Sequence, residues 1–256
     1  MNLFEVFILS IIEGITEFLP VSSTGHLILT TTILKIPQTD FVKSFEIIIQ
    51  LGAILAVFVL YLKLLWINKK LWLYLITGFL PSDVIGLLLY KFIKEYLIGN
   101  QMVTVITLIC GGIILLFLEK LINFKQNKFD FTDIDFKKSF IIGIFQALSI
   151  IPGVSRSAAS IIGGMFLGLT KKTASEFSFL LAIPTMIGAT VLDLIETDFN
   201  YSRNETGLLL AGVFLSFISA LFGIKFLIKF VQKHSFAPFG IYRIILGIVF
   251  YLLFLR

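Results

Sequence analysis

The sequence predicts an all-α integral membrane protein: an inverted-repeat bundle of six transmembrane helices and two re-entrant helical hairpins. Three observations carry this expectation. Hydrophobic residues make up 57% of the chain and charged residues 14%, with a mean hydropathy of +0.99, whereas an average soluble domain is roughly 25% charged. Six apolar stretches approach the roughly 20 residues that cross a bilayer. Two further apolar regions are each interrupted by a proline and a cluster of hydroxyl residues.

Taken in chain order, the first interrupted region runs from Leu3 to Leu34 and breaks near Pro20 to Ser22. The basic, cleavable pattern of a signal peptide is missing, and Glu5, Glu13 and Glu17 interrupt the apolar run, so this segment is expected to belong to the mature fold. Three spans follow: Ser44 to Leu62, Lys70 to Tyr90 and Gln101 to Glu119. The second interrupted region, Lys138 to Leu169, breaks near Pro152 to Ser155. Spans from Ala174 to Leu194, Gly207 to Phe230 and Pro238 to Leu255 complete the chain. Irregular backbone at membrane depth is tolerated only where protein or water covers it, so each interrupted region reads as a hairpin that returns to the side it entered.

The chain also repeats weakly. A shift of 133 places lays Glu13 on Gln146, Gly14 on Ala147, Val21 on Val154, Ser22 on Ser155 and Thr24 on Ser157, and one further residue lays Phe45 on Phe179. The whole is one membrane domain, 1–256, with repeats at 1–120 and 138–256. Each repeat has one hairpin and three spans, and three is odd, so the second repeat starts on the opposite side of the membrane. Broken helices of inverted repeats meet near the midplane, where substrate sites form.

Charge sets orientation and narrows the partners. A net charge of +5 in so apolar a chain fits membrane-facing loops and anionic headgroups rather than nucleic acid. Six basic residues fall on the N-terminal face (Lys35, Lys43, Lys91, Lys94, Arg203, Arg256), fourteen from Lys63 to Arg243 fall on the other, and Arg156 is left at depth. The positive-inside bias then puts both termini outside. The acidic loop from Glu196 to Glu205 agrees with that side. A single Cys110 excludes an intrachain disulfide and fits no metal-site spacing.

The chemistry concentrates at the two breaks, Glu13-Gly14-Ile15-Thr16-Glu17-Phe18-Leu19-Pro20-Val21-Ser22-Ser23-Thr24-Gly25-His26 and Pro152-Gly153-Val154-Ser155-Arg156-Ser157. Glu13 and Glu17, four apart, share a helical face. Two carboxylates that close repel unless a positive group intervenes, and a divalent cation with oxygen ligands, Mg²⁺ or Ca²⁺, meets that need beside a phosphate. The alternative is a pair of acids near the membrane surface. Ser22, Ser23 and Thr24 are helix-cap candidates, and His26 lies three and four residues on, spaced to act as base or as nucleophile. In the second break, Gly153 makes a turn, Ser155 or Ser157 caps the following helix, and Arg156 offers a planar fork. Two helix N-termini converging on one pocket call for an oxyanion such as diphosphate. Gln50 is a weaker candidate for the pocket, and Asp83 and Asp193 for a polar path.

These two segments resemble the signature regions of the bacterial undecaprenyl-diphosphate phosphatase family, also known for bacitracin resistance, as does the stretch Phe45-Glu46 to Gln50-Leu51-Gly52-Ala53. The resemblance covers the whole chain. It implies removal of the terminal phosphate from a C55 isoprenoid diphosphate, which recycles the lipid carrier of cell-wall synthesis. It implies catalytic roles for Glu17, Ser23, His26 and Arg156 and a divalent metal on Glu13 and Glu17. Phosphate contacts are expected from Ser22, Thr24, Gly153, Ser155, Arg156 and Ser157. The implied setting is the bacterial inner membrane with the site facing the exterior, among membrane lipids and the polyprenyl diphosphate substrate, with a homodimer left open. The family commonly has Gly and Thr where this chain has Ala158 and Ser160, and serine keeps the hydroxyl. Two other classes compete. A transporter has the same architecture but little use for acids facing an anion. An acid-phosphatase type needs a histidine soon after the Ser-Arg pair, where Ile161, Ile162 and Gly163 stand instead.

Overall fold

The computed structural model describes residues 1–92, 96–97, 100–122, 128–196 and 201–256, with backbone alone at 90–92, 119–121 and 192–196. Lys94 and Lys125, and the side chains of Lys91, Lys120, Asp193 and Glu196, lie outside the described residues. Ten α-helices are seen there: α1 Leu3–Thr16, α2 Ser23–Ile33, α3 Asp40–Ile67, α4 Lys69–Phe92, α5 Gln101–Leu121, α6 Phe136–Ala147, α7 Arg156–Phe166, α8 Lys171–Glu196, α9 Arg203–Lys233 and α10 Ala237–Phe250. No strand occurs among the described residues, apart from a single bridge between Phe129 and Leu169.

Helices α3, α4, α5, α8, α9 and α10 are long and apolar enough to cross a membrane, the last with the turn that follows it. They match the six expected spans and mostly run a few residues further. The reason is local: Thr39 caps α3 through the Val42 N–H, and Ser202 and Glu205 cap each other at the start of α9. Such caps satisfy orphan N–H groups and let a helix begin in the polar interface before its apolar stretch does. The other four helices, of 14, 11, 12 and 11 residues, are too short to cross.

Packing crosses between the two halves of the chain. Helix α1 lies on α9, α6 lies on α4, and α5 pairs with α10. Small residues allow this closeness: a methyl on Gly14 would strike the Ser216 carbonyl, and one on Gly143 the Gly78 carbonyl. Lipid chains are as apolar as leucine, so helices in a membrane gain from close contact rather than from water exclusion. Phe41 meets Tyr201 edge to face at 5.4 Å, and Gln101 donates to Thr32 Oγ1 at 3.2 Å, which gathers the starts of α3, α9 and α5 and the end of α2 at one end of the bundle. At the other end Lys171 donates to the His234 carbonyl.

Candidate active site

The two breaks are built alike. Ser22 precedes α2 at φ 70° and Ser155 precedes α7 at φ 76°, a left-handed conformation that costs a non-glycine residue about 1–3 kcal/mol. Each serine offsets part of that cost by capping its helix: Ser22 Oγ accepts from the Gly25 N–H and Ser155 Oγ from the Ala158 N–H, both at 3.2 Å. The first-turn N–H groups of Ser23, Thr24, Arg156 and Ser157 have no intrahelical acceptor. The strained turns therefore start two helices on one cavity, positive ends first.

Both starts open on a cavity of about 330 Å³. Its wall carries Glu17, Ser22, Ser23 and Thr24 from the first break, Gly153, Ser155 and Arg156 from the second, and Gln50 from α3. The Ser23 hydroxyl donates to Glu17 Oε2. Arg156 Nη2 donates to Glu17 Oε1 at 2.8 Å, and Nη1 to the Ser178 carbonyl at 2.8 Å. Its Nε is buried without an acceptor. Phe18 supports the guanidinium from 5.7 Å and is itself held edge-on by Phe179. A carboxylate bound to a hydroxyl on one side and to a guanidinium on the other, in front of two helix N-termini, suits transfer of a tetrahedral oxyanion.

Three of the residues singled out in the sequence stand behind this wall. Glu13 is fully buried, with no donor to either oxygen, in electrostatic reach of Glu17 and Glu46. His26 Nδ1 lies 2.7 Å from the Ser22 carbonyl and Nε2 lies 2.6 Å from the Tyr242 hydroxyl. A carbonyl can only accept, so Nδ1 carries a proton and, in the neutral ring, Nε2 takes the Tyr242 hydrogen. Both nitrogens are engaged away from Ser23. Ser157 Oγ donates to the Leu19 carbonyl at 2.8 Å, tying the second break to the first. Ser160 bonds the Arg156 carbonyl and Ser178, so this position serves the contact between α7 and α8.

Other participants carry no sequence signal. Ser149, Thr185, Met186 and Ala189 complete the cavity, the last three from α8 just past Pro184. A second cavity of about 320 Å³ shares Ser149, Ile150, Thr185 and Ala189 with the first and continues along Phe79, Asp83, Gly86 and Leu87 of α4. Gln146 holds its edge by donating to Ser82 and Thr185. Arg243 requires a correction. The basic-residue count places it on the lysine-rich face, yet it is 0% exposed in the bundle interior. All of its described partners are backbone carbonyls: Leu108, Pro20, Val154, Thr107 and Gly153, at 2.8–3.3 Å. An arginine has five N–H donors, and five carbonyls replace its hydration shell.

Comparison with known proteins shows the family of the chain. The family model described as bacitracin resistance protein BacA matches residues 6–249. The chain is similar to the undecaprenyl-diphosphatase of Aquifex aeolicus, 51% identical over 255 residues and the full length of both. It is also similar to that of Sulfurihydrogenibium sp., 47% identical over 98% of this chain and 99% of the relative. With that of Campylobacter jejuni strain 81-176 the figures are 50% identity over 99% and 94%. The chain belongs to the BacA bacitracin resistance family.

Proposed function

We propose that the chain hydrolyses undecaprenyl diphosphate to undecaprenyl phosphate and inorganic phosphate in the cavity where the two breaks meet. The observation that carries this reading is the Ser23–Glu17–Arg156 array between two helix N-termini, and the shared activity of full-length relatives supports it. The terminal phosphate lies between the starts of α2 and α7. Arg156, on the cavity wall, stabilises charge that spreads over the equatorial oxygens. Ser23 Oγ attacks that phosphorus as Glu17 takes its proton. The anhydride P–O bond breaks and undecaprenyl phosphate leaves. Water then attacks the phosphoserine, the proton held on Glu17 returns to Ser23 Oγ as phosphate leaves, and the proton lost by the water goes to solvent, which restores both Ser23 and Glu17. His26 holds the Ser22 carbonyl, and with it the cap, rather than touching phosphorus.

The donor set suits a divalent metal. No group of three or more His, Cys, Asp and Glu side chains clusters among the described residues, but Mg²⁺ commonly uses one or two carboxylates plus substrate phosphate oxygens. Glu17 and the buried Glu13, of which only Glu13 has oxygens that accept no hydrogen bond, would hold Mg²⁺ or Ca²⁺. When bound, it supplies positive charge to the departing phosphate.

The second cavity, apolar along Phe79, Gly86, Leu87 and Ile150, takes the first isoprene units of the tail and leads them between α4 and α8 into lipid. Helices α1 with α2 and α6 with α7 are re-entrant hairpins of an inverted repeat, since they are too short to cross and each hairpin packs on the other half. With Arg243 withdrawn, thirteen basic residues against six still orient the lysine-rich face inward. The cavity then opens to the exterior of the bacterial inner membrane.

Acid-quenched single-turnover reactions with label in the terminal phosphate test the mechanism. Label on Ser23, lost in Ser23→Ala, is expected, and label on another residue or on none overturns the serine step. Phosphate release, set beside lipid movement in liposomes, separates this reading from transport. Movement without hydrolysis refutes the phosphatase.

A further inference from the structure

The mechanism leaves Arg243 unexplained. A fully buried cation whose described partners are all neutral is expensive in a membrane, and such residues persist where they have a use. Its five carbonyls come from three places: Pro20 in the first break, Gly153 and Val154 in the second, and Thr107 and Leu108 on α5. Breaking a helix frees carbonyls, and away from water each one left unpaired is costly. One planar guanidinium serves both breaks. A lysine has three donors on a point charge and cannot span the same set.

The clamped carbonyls lie next to the working groups. Pro20 is three residues before Ser23, and Val154 two before Arg156. Peptide units are planar and trans, so fixing the Val154 carbonyl also fixes the Ser155 N–H on the opposite edge, and Ser155 lines the cavity. Thr107 adds a second tie, its hydroxyl donating to the Pro152 carbonyl at 2.5 Å. Gly153, at φ +88°, lies so close to α5 that a Cβ there would overlap the Thr107 hydroxyl. The space for the guanidinium is also built in: a methyl on Gly111 would collide with Arg243 Nη2. On the neighbouring residue, Tyr242 holds His26, whose Nδ1 holds the Ser22 carbonyl. Thus α10 governs the entry to α2 twice.

We propose that Arg243 is a positioning residue for the reaction: its single guanidinium sets the spacing between the two helix starts, and so between Ser23 and Arg156, without touching substrate. This rests on the phosphatase reading above. A misplacement of 1 Å in such a site costs about 10²-fold in rate.

The test uses full-length protein purified in detergent, with undecaprenyl diphosphate as substrate, well below the melting temperature of every variant. If the parent releases no phosphate, the phosphatase reading fails, whatever the variants do. If the parent turns over, Arg243→Lys is expected to lower kcat about 10²-fold while KM stays within about threefold, since the residues that meet the substrate remain. In the Arg156→Lys background the same change should cost less than about threefold more, because residues acting as a unit are not additive. Gly111→Ala displaces the guanidinium without removing it, so it reports even where Arg243→Lys does not fold. A loss of about tenfold in kcat is expected there. Turnover within about twofold of the parent in Gly111→Ala or a folded Arg243→Lys, full additivity with Arg156→Lys, or activity that recovers on cooling would overturn the proposal.

Discussion

Arg156 makes two hydrogen bonds to oxygen that a lysine cannot make together, one to Glu17 and one to the Ser178 carbonyl. Arg156→Lys should therefore retain a folded protein and lose about 10²-fold in turnover, the worth of one to two charge-assisted hydrogen bonds. Phosphate release at saturating substrate measures this, and a loss under about twofold contradicts the assigned role. Glu13 answers to a different readout. Glu13→Gln should raise the Mg²⁺ concentration for half-maximal activity by about tenfold or more, and an unchanged metal titration removes Glu13 from the metal site. The residues on the cavity wall were largely legible in the sequence, because a run such as Glu17 to Thr24 is costly in an apolar helix without a use. The partners of His26 and the burial of Arg243 were not. Helical spacing places His26 beside Ser22 and Ser23, but Ser22 sits at φ 70° and turns its carbonyl, not its hydroxyl, toward the ring. Arg243 reads as interfacial because its partners are carbonyls scattered over residues 20 to 154, which leave no mark in composition.

The helices show the same division between local and non-local information. Apolar length located all six spans, and the proline-hydroxyl breaks located the four short helices, because both are properties of consecutive residues. The share of α8 in the site was hidden, since Thr185, Met186 and Ala189 look like ordinary span residues, whereas Asp83 on α4 was marked by its charge and lines the second cavity. Pro184 and Pro81 lie inside these two helices, where each removes a backbone hydrogen bond and favours a kink. If the tail leaves between α4 and α8, a bulky side chain there must obstruct it. Gly86 has room, as a methyl would meet only Ile150 at 3.7 Å. Gly86→Trp should lower kcat/KM for the C55 diphosphate about tenfold or more and affect a five-carbon isoprenyl diphosphate far less. Equal effects on both substrates would mean that the tail takes another route.

For the molecule as a whole, the direction of the reaction depends on which end of the bundle faces out. In a Cys110→Ser background, single cysteines at Asp40 and Asn204 should react with a membrane-impermeant thiol reagent in intact cells, and those at Lys70 and Lys128 only after lysis. The reverse pattern would turn the cavity to the cytoplasm. The expected inverted repeat rests in the sequence on a faint echo at the breaks, while the contacts between the halves, α1 on α9 and α6 on α4, leave no mark in the residues. What the halves contribute is unequal in chemistry, Glu17 and Ser23 from the first and Arg156 from the second. The most direct measurement is therefore phosphate release from undecaprenyl diphosphate by the purified protein, compared with Glu17→Gln and Arg156→Lys. The account predicts one phosphate and one undecaprenyl phosphate per substrate consumed, with losses of about 10²-fold or more in both variants while each stays folded. Full turnover in either variant would contradict a single site shared by the two halves.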